Sequence, residues 1–137
     1  MGVQVRAVDY FTTTLHGPSE AAYQLLSRLA GGGVSLMAFN AIPVGLGSTQ
    51  LVLFPEDSAL LEAVAGEQKL DLSGPDCALL IQGDDELGAL ARIHQQLAAA
   101  DVQPYASAGL TDGHGGFGYV VYVRREQFAK AAQALGL

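Results

Sequence analysis

The apolar positions of the chain follow two spacings that succeed each other from one end to the other. Short runs rich in β-branched, aromatic and aliphatic residues predict strands, whereas apolar residues three and four positions apart predict helices. The mixture of the two predicts an α+β fold. The predicted strands cover 3–15, 34–42, 49–54, 69–72, 78–81, 103–108 and 118–123, and the predicted helices cover 22–30, 55–64, 85–100 and 126–135.

The order of these elements in the first half of the chain is repeated in the second half. Adding 68 to the number of Leu29 gives Leu97, and adding 69 to the number of Leu51 gives Val120. Apolar pattern, element order and helix length match together. They therefore indicate an internal duplication rather than two unrelated segments.

Each half has the order of a ferredoxin-like plait, in which strands and helices run βαββαβ. The sequence predicts two such plaits in tandem, at 1–67 and 68–137, with antiparallel sheets and with helices on one face. The second half lacks a final strand, so we expect the N-terminal strand 3–8 to complete its sheet. Because the run 3–15 is long for one strand, we also expect a break near Asp9.

Composition and charge exclude several classes of function. Half of the 137 residues are apolar and 15% are charged, which is typical of a globular protein. The formal charge is −7 and the seven basic residues are scattered, so neither nucleic acid nor an anionic membrane surface is an expected partner. Cys77 is the only cysteine, which excludes an intrachain disulfide and a cysteine-based zinc cluster. No apolar run reaches membrane-spanning length, and we expect a cytoplasmic protein without metal or cofactor.

The stretch 83–97 is the richest candidate for a binding site, because an acidic turn there joins a predicted strand to a predicted helix. Asp85 is a natural N-cap residue, and Gly88 lacks a Cβ atom, so a ligand could approach its backbone closely. The unpaired amides of the first helical turn and the positive end of the helix dipole favour an anion. A capped helix start that binds nothing explains the same residues, and both interpretations stay open at this point.

A longer pattern surrounds this turn. It consists of Asp85-Glu86-Leu87-Gly88 in the turn, Ala89-Leu90-Ala91-Arg92-Ile93 in the helix and Asp101-Val102 before the next strand. The pattern resembles the signature of ACT domains, which are small ligand-sensing modules with a ferredoxin-like fold. One departure is Leu87, which stands where the family usually has proline.

The resemblance covers the whole chain as a free-standing tandem pair, but the two halves match it unequally. In the first half, Gly17 and Glu20 stand where Asp85 and Gly88 stand in the second. The carboxylate of Glu20 would repel a ligand carboxylate at the start of its helix. The resemblance therefore implies one ligand site, at the turn 83–89, and a degenerate turn in the first half.

In ACT domains an amino acid usually binds between two modules, so the resemblance implies a regulatory binding protein and no enzyme. Helix amides would bind the ligand carboxylate, and Asp84 or Asp85 would bind its ammonium group. Phe39 or Tyr105 would select the side chain, although each also fits a sheet core. The implied ligand-binding residues are Asp84, Asp85, Glu86, Leu87, Gly88 and Ala89 in the turn, Met37, Ala38, Phe39 and Asn40 if the two halves pair, and Tyr105, Ala106 and Ser107 if a second copy supplies the facing strand.

The expected partners are a small amino acid, a second copy of the chain and an unidentified regulated enzyme. A homodimer is expected because plaits leave sheet edges that pair readily across a two-fold axis. Two other functions stay open. A small ferredoxin-like enzyme of isomerase or phosphatase type would need an arginine or histidine convergent with a carboxylate in a closed pocket, and His94 facing a buried carboxylate would favour it. A structural adaptor would have side chains filling the turn. The glycine-rich stretch 113–118 lacks the flanking elements of a nucleotide site and is typical of a hairpin loop.

Overall fold

The computed structural model describes residues 2–18 and 20–137, whereas Met1 and Ser19, both in the predicted first half, lie outside the described residues. The fold is α+β, as predicted. No helix in the described ranges is both long and apolar enough to cross a membrane. The strands are β1 (Gln4–His16), β2 (Leu36–Gly45), β3 (Ser48–Pro55), β4 (Ser73–Asp84), β5 (Ala106–Thr111) and β6 (Gly116–Tyr122), and the α-helices are α1 (Glu20–Gly31), α2 (Ser58–Glu67), α3 (Ala89–Ala99) and α4 (Phe128–Ala134).

The chain divides into two compact units, and two strands pass through both of them. The first unit is Asp9–Asp76, and the second unit is the chain up to Val8 together with Cys77–Leu137. β1 crosses the division as one uninterrupted strand, so the expected break near Asp9 is wrong. The residues stay extended there because β1 lies between β3 and β4 in the strand order.

The first unit runs strand, helix, strand, strand, helix, strand, and its strand order is β2-β3-β1-β4. β3 pairs antiparallel with both β1 and β2. Alternate residues of β3, such as Leu51 and Leu53, point to the core, because successive side chains of a strand point to opposite faces. The core is completed by Phe11 from β1, Leu25 and Leu29 from α1, and Leu61 and Val64 from α2.

The second unit has its own core and the strand order β1-β4-β6-β5. β6 pairs antiparallel with β4 and with β5. The buried face of the sheet packs against α3 through Ile93 and Leu97, and against α4 through Ala131. The sheet contributes Leu79, Ile81, Phe117, Tyr119 and Val121 to this core.

The two units repeat the same strand register at an offset of 68 residues. Phe11 pairs with Leu53 in the first unit, and Leu79 pairs with Val121 in the second. The offset of 69 that matched Leu51 to Val120 is therefore wrong, because a shift of one residue turns every side chain to the other face of the sheet. At an offset of 68 the core residues of β1, α1 and β3 coincide with those of β4, α3 and β6, as Leu29 does with Leu97 and Leu53 with Val121.

All four described α-helices end in a Schellman motif, in which a residue with positive φ reverses the chain. After α1, for example, the amide of Gly33 donates to the carbonyl of Ala30 at 3.0 Å and the amide of Val34 donates to that of Leu29 at 2.9 Å. The four residues with positive φ at these helix ends are Gly33, Lys69, Asp101 and Gly136.

Two predicted strands are placed differently in the structure, and each shift has a local cause. β4 replaces the predicted strands 69–72 and 78–81, because Lys69 and Leu70 belong to the Schellman motif that ends α2. β5 begins three residues after the predicted start of the strand 103–108, because its partner β6 ends at Tyr122, which pairs with Ala106.

Candidate ligand-binding site

The acidic turn after β4 forms a separate segment before helix α3. α3 begins at Ala89, and its N-cap is Gly88, which has a φ of 84° and makes no side-chain capping bond. Asp85 is therefore not the N-cap, and the helix predicted from residue 85 begins four residues later. A glycine suits this position, because φ is positive there and few L-residues adopt that conformation. Residues 85–88 are called the acidic turn below.

The acidic turn is fixed to the loop between β5 and β6 by a backbone hydrogen bond. The amide of Asp85 donates to the carbonyl of Gly115 at 2.8 Å. The first unit has the same bond 68 residues earlier, where the amide of Gly17 donates to the carbonyl of Gly47 at 2.9 Å. This bond is thus part of the repeated scaffold, and it sets the position of the turn independently of the side chain at residue 85.

The carboxylate of Asp112 organises the same loop. It accepts a hydrogen bond from the amide of His114 at 2.6 Å and another from the amide of Gly116 at 3.0 Å. These bonds stabilise the charged form, so they lower the pKa of Asp112 from its ordinary value of 3.8. Hydrogen bonds within the loop itself therefore stabilise its conformation.

A cleft of about 600 Å³ opens beside the acidic turn, within the range typical of small-molecule sites. The start of α3 forms one wall of the cleft. The last residues of β5 form the other wall, and Phe117 of β6 contributes a buried aromatic ring. The lining residues are Asp85, Glu86, Leu87, Gly88, Ala89, Leu90, Ala91, Gly109, Leu110, Thr111 and Phe117.

The polar groups of the cleft are few and differ in their pairing. Glu86 is paired with Arg92, whose guanidinium lies 3.0 Å from its carboxylate, whereas the exposed Asp85 carboxylate has no partner among the described residues. On the same wall, no acceptor is found in the described part of the chain for the amides of Leu90 and Ala91. The cleft therefore offers the free carboxylate of Asp85, and the first turn of α3 offers the free amides of Leu90 and Ala91.

The β5 wall is supported from behind by Tyr119. A Cβ atom on Gly109 would lie 2.9 Å from Cδ1 of Tyr119, so the close packing of these two residues requires glycine. The Tyr119 hydroxyl donates to Oγ of Ser107 at 2.8 Å and is also hydrogen-bonded to Nε2 of His94. The partner of His94 is therefore a phenol, whereas the enzyme hypothesis required a buried carboxylate.

The structure brings five of the predicted ligand-binding residues together, Asp85 through Ala89. Asp84 is the last residue of β4 and is not among the lining residues. None of the other seven lines this cleft. Four of them, Met37, Ala38, Phe39 and Asn40, lie on β2 of the first unit. Tyr105 directly precedes β5, and Ala106 and Ser107 are its first two residues.

Sequence reasoning missed the β5 wall, which Gly109, Leu110 and Thr111 form. The predicted strand 103–108 ends before these three residues, so the sequence pattern places them in a loop. A usable signal was present, because a glycine inside a strand often marks a close approach by another group.

Comparisons with known proteins give the fold. No family model and no curated protein sequence matches the chain. Among solved structures, protein BT0572 from Bacteroides thetaiotaomicron is similar with a TM-score of 0.80 at 14% identity, over 96% of this chain and 88% of that one.

Two further similar structures are named as aspartate kinase proteins. The aspartokinase alpha and beta subunits give a TM-score of 0.65 at 13% identity, and the regulatory subunit of aspartate kinase from Thermus flavus gives 0.60 at 14% identity. Both alignments cover 98% of this chain and 95% of the other. At such identities the likeness establishes the fold alone, and that fold agrees with the ACT-like architecture implied by the sequence.

Proposed function

We propose that this protein is a regulatory module of tandem ACT type that binds a free amino acid in the cleft beside the acidic turn. The observation that carries the proposal is that hydrogen-bonding groups on one wall of the cleft have no partner in the described part of the chain. Two unpaired amides and one unpaired carboxylate lie on the same wall. An α-amino acid carries a carboxylate and an ammonium group on one carbon atom, so it complements both kinds of group.

Each ligand group has a physical reason to bind where we place it. The amides of Leu90 and Ala91 point from the start of α3, where the helix dipole adds to their attraction for a carboxylate. The ligand ammonium group would form a charge-assisted hydrogen bond with Asp85. Glu86 contributes less, because its charge is already balanced by Arg92.

The regulatory part of the proposal is supported by the kind of protein that shares the fold. Similar structures include a protein named as the regulatory subunit of an aspartate kinase. By analogy, we propose that this chain alters the behaviour of a partner enzyme and catalyses nothing itself. Each of its two units would be one ACT-type plait, with the ligand turn in the second unit only.

We further propose that the protein is a homodimer. β5 is at the edge of the strand order, and all six of its residues are exposed. None of them is charged, although charged residues commonly protect such an edge from pairing. Sedimentation of the purified chain tests this point, and a monomer at every concentration would contradict it.

Calorimetric titration with the twenty amino acids tests the proposed function. We expect at least one to bind, and we expect Asp85→Asn to weaken it by about tenfold or more. The reason is that a hydrogen bond to a charged group is worth about 1.5–3 kcal/mol. Asp71→Asn is the matched control, because it removes an exposed carboxylate outside the cleft. If no amino acid binds, or if the two variants behave alike, the proposal is wrong.

A further inference from the structure

The side chains that line the cleft are mostly apolar, although one of its walls contains the acidic turn. Leu87 and Leu110 belong to opposite walls and are 102% and 80% exposed, whereas Phe117 is only 9% exposed. Leu90 and two alanines complete the apolar surface. Covering a fully exposed leucine with another apolar group removes apolar surface from water, which lowers the free energy of the complex.

We infer that the cleft selects amino acids with aliphatic side chains, such as leucine, isoleucine, valine or methionine, and that Leu87 and Leu110 are the selecting residues. This inference rests on the proposed function and names the class of ligand. Once the α-carboxylate and α-ammonium groups are bound at the amides and Asp85, the ligand side chain is left with the apolar walls, Thr111 and the Glu86 carboxylate, which is already paired with Arg92.

Charge argues against ligands with ionised side chains. No basic side chain lines the cleft, so an acidic ligand side chain would face Asp85 and Glu86 without a partner. A basic side chain would need a second free carboxylate. Asp85 is engaged by the α-ammonium group and Glu86 by Arg92, so that second carboxylate is missing.

The size of the selection follows from the area of apolar contact. A single methylene group in an enclosed apolar pocket changes binding by about 10-fold to 200-fold. We therefore expect leucine to bind at least about tenfold more tightly than alanine, which carries the same charged groups and a much smaller side chain.

The test combines a ligand panel with rim variants. The full chain is titrated with leucine, isoleucine, valine, methionine, alanine, aspartate and lysine. We expect Leu87→Ala and Leu110→Ala each to weaken leucine binding about fivefold and to leave alanine binding nearly unchanged. Leu46→Ala is the matched control, because Leu46 is 106% exposed in the first unit and should alter neither affinity.

The outcomes separate this inference from the proposed function. If lysine or aspartate binds as tightly as leucine, and binding still requires Asp85, the inference fails and the proposed function stands. If no amino acid binds, both fail. If the rim variants weaken leucine and alanine equally and also shift the sedimentation profile, the two leucines are contacts between copies of the chain, and the inference is wrong.

Discussion

At the scale of single residues, the carboxylates of the acidic turn and of the neighbouring hairpin loop differ in how they are paired. Asp112 accepts from two amides of its own loop, and Glu86 is paired with Arg92. Asp85 differs, because its carboxylate lines a cleft and has no partner within the described ranges. This free carboxylate is the residue-level feature on which we base the proposed binding of a ligand ammonium group.

The Asp112 loop should be sensitive to acid. The bonds from His114 and Gly116 lower the pKa of this carboxyl, so its contribution to stability is complete above the ordinary value of 3.8. That contribution is lost as the pH falls below 3.8 and through the lowered pKa of the folded protein. A carboxyl titration by NMR should therefore give a midpoint below 3.8, and the amide signals of His114 and Gly116 should move with it.

Asp112→Asn is the control for this titration. Its side-chain oxygen can still accept from both amides but does not ionise, so the same amide signals should show no acid transition. A midpoint for Asp112 at or above 3.8 would show that the loop bonds do not hold in solution.

At the scale of elements, local patterns predict the helices and strands well and their ends poorly. The apolar stripe of α3 was visible as Ile93 and Leu97, since burial imposes helical spacing. The predicted start of α3 is wrong because Asp85 is a more favourable N-cap residue than Gly88, which is the N-cap in the structure. The hydrogen bond from the amide of Asp85 to the carbonyl of Gly115 and the positive φ of Gly88 keep residues 85–88 out of the helix. Neither feature can be predicted from one sequence.

The β5 wall of the site was missed for a related reason. Strand ends depend on where a hairpin closes, and that depends on the partner strand. Residues 109–111 contain a glycine and a threonine and carry no strong apolar signal of their own. They become a wall only because β6 pairs with them and Tyr119 packs behind Gly109. The candidate turn could thus be predicted, and the surface opposite it could not.

The contact between the end of α1 and α2 gives a prediction at this scale. A Cβ atom on Gly32 would lie 2.7 Å and 2.9 Å from the two methyl carbons of Val64. Rotation of the valine cannot relieve both contacts, so Gly32→Ala should lower the free energy of unfolding by about 1–3 kcal/mol, as overpacking does. Urea unfolding followed by circular dichroism measures the change.

Gly31→Ala is the matched control for that variant. Nothing lies within 4 Å of a Cβ atom at Gly31, and its φ is not positive, so alanine should leave stability unchanged or raise it by up to about 1 kcal/mol. When residue 64 is already alanine, Gly32→Ala should cost less free energy of unfolding than it does when residue 64 is valine, because the two methyl groups are gone. Equal effects of the two glycine variants would refute the close contact.

At the scale of the whole molecule, the two units share a backbone scheme and differ in the residues placed on it. The strand register, the turn-to-hairpin bond and the helix-ending motifs all recur 68 residues apart or nearly so. At the turn, however, Gly17 and Glu20 replace Asp85 and Gly88. Glu20 places a carboxylate in the first turn of α1, where it opposes a ligand carboxylate. One scaffold therefore appears twice, and we expect it to bind ligand once.

This asymmetry can be measured with the amino acid that binds most tightly in the titrations. Calorimetry should give one site per chain. Hydrogen exchange should slow at the amides of Leu90 and Ala91, because the ligand carboxylate would accept from them, and should stay unchanged at the corresponding amides of Ala22 and Tyr23. The comparison is internal, since both pairs lie in the first turns of helices in one chain. Two sites per chain, or equal protection of both pairs, would mean that Glu20 does not block the first turn.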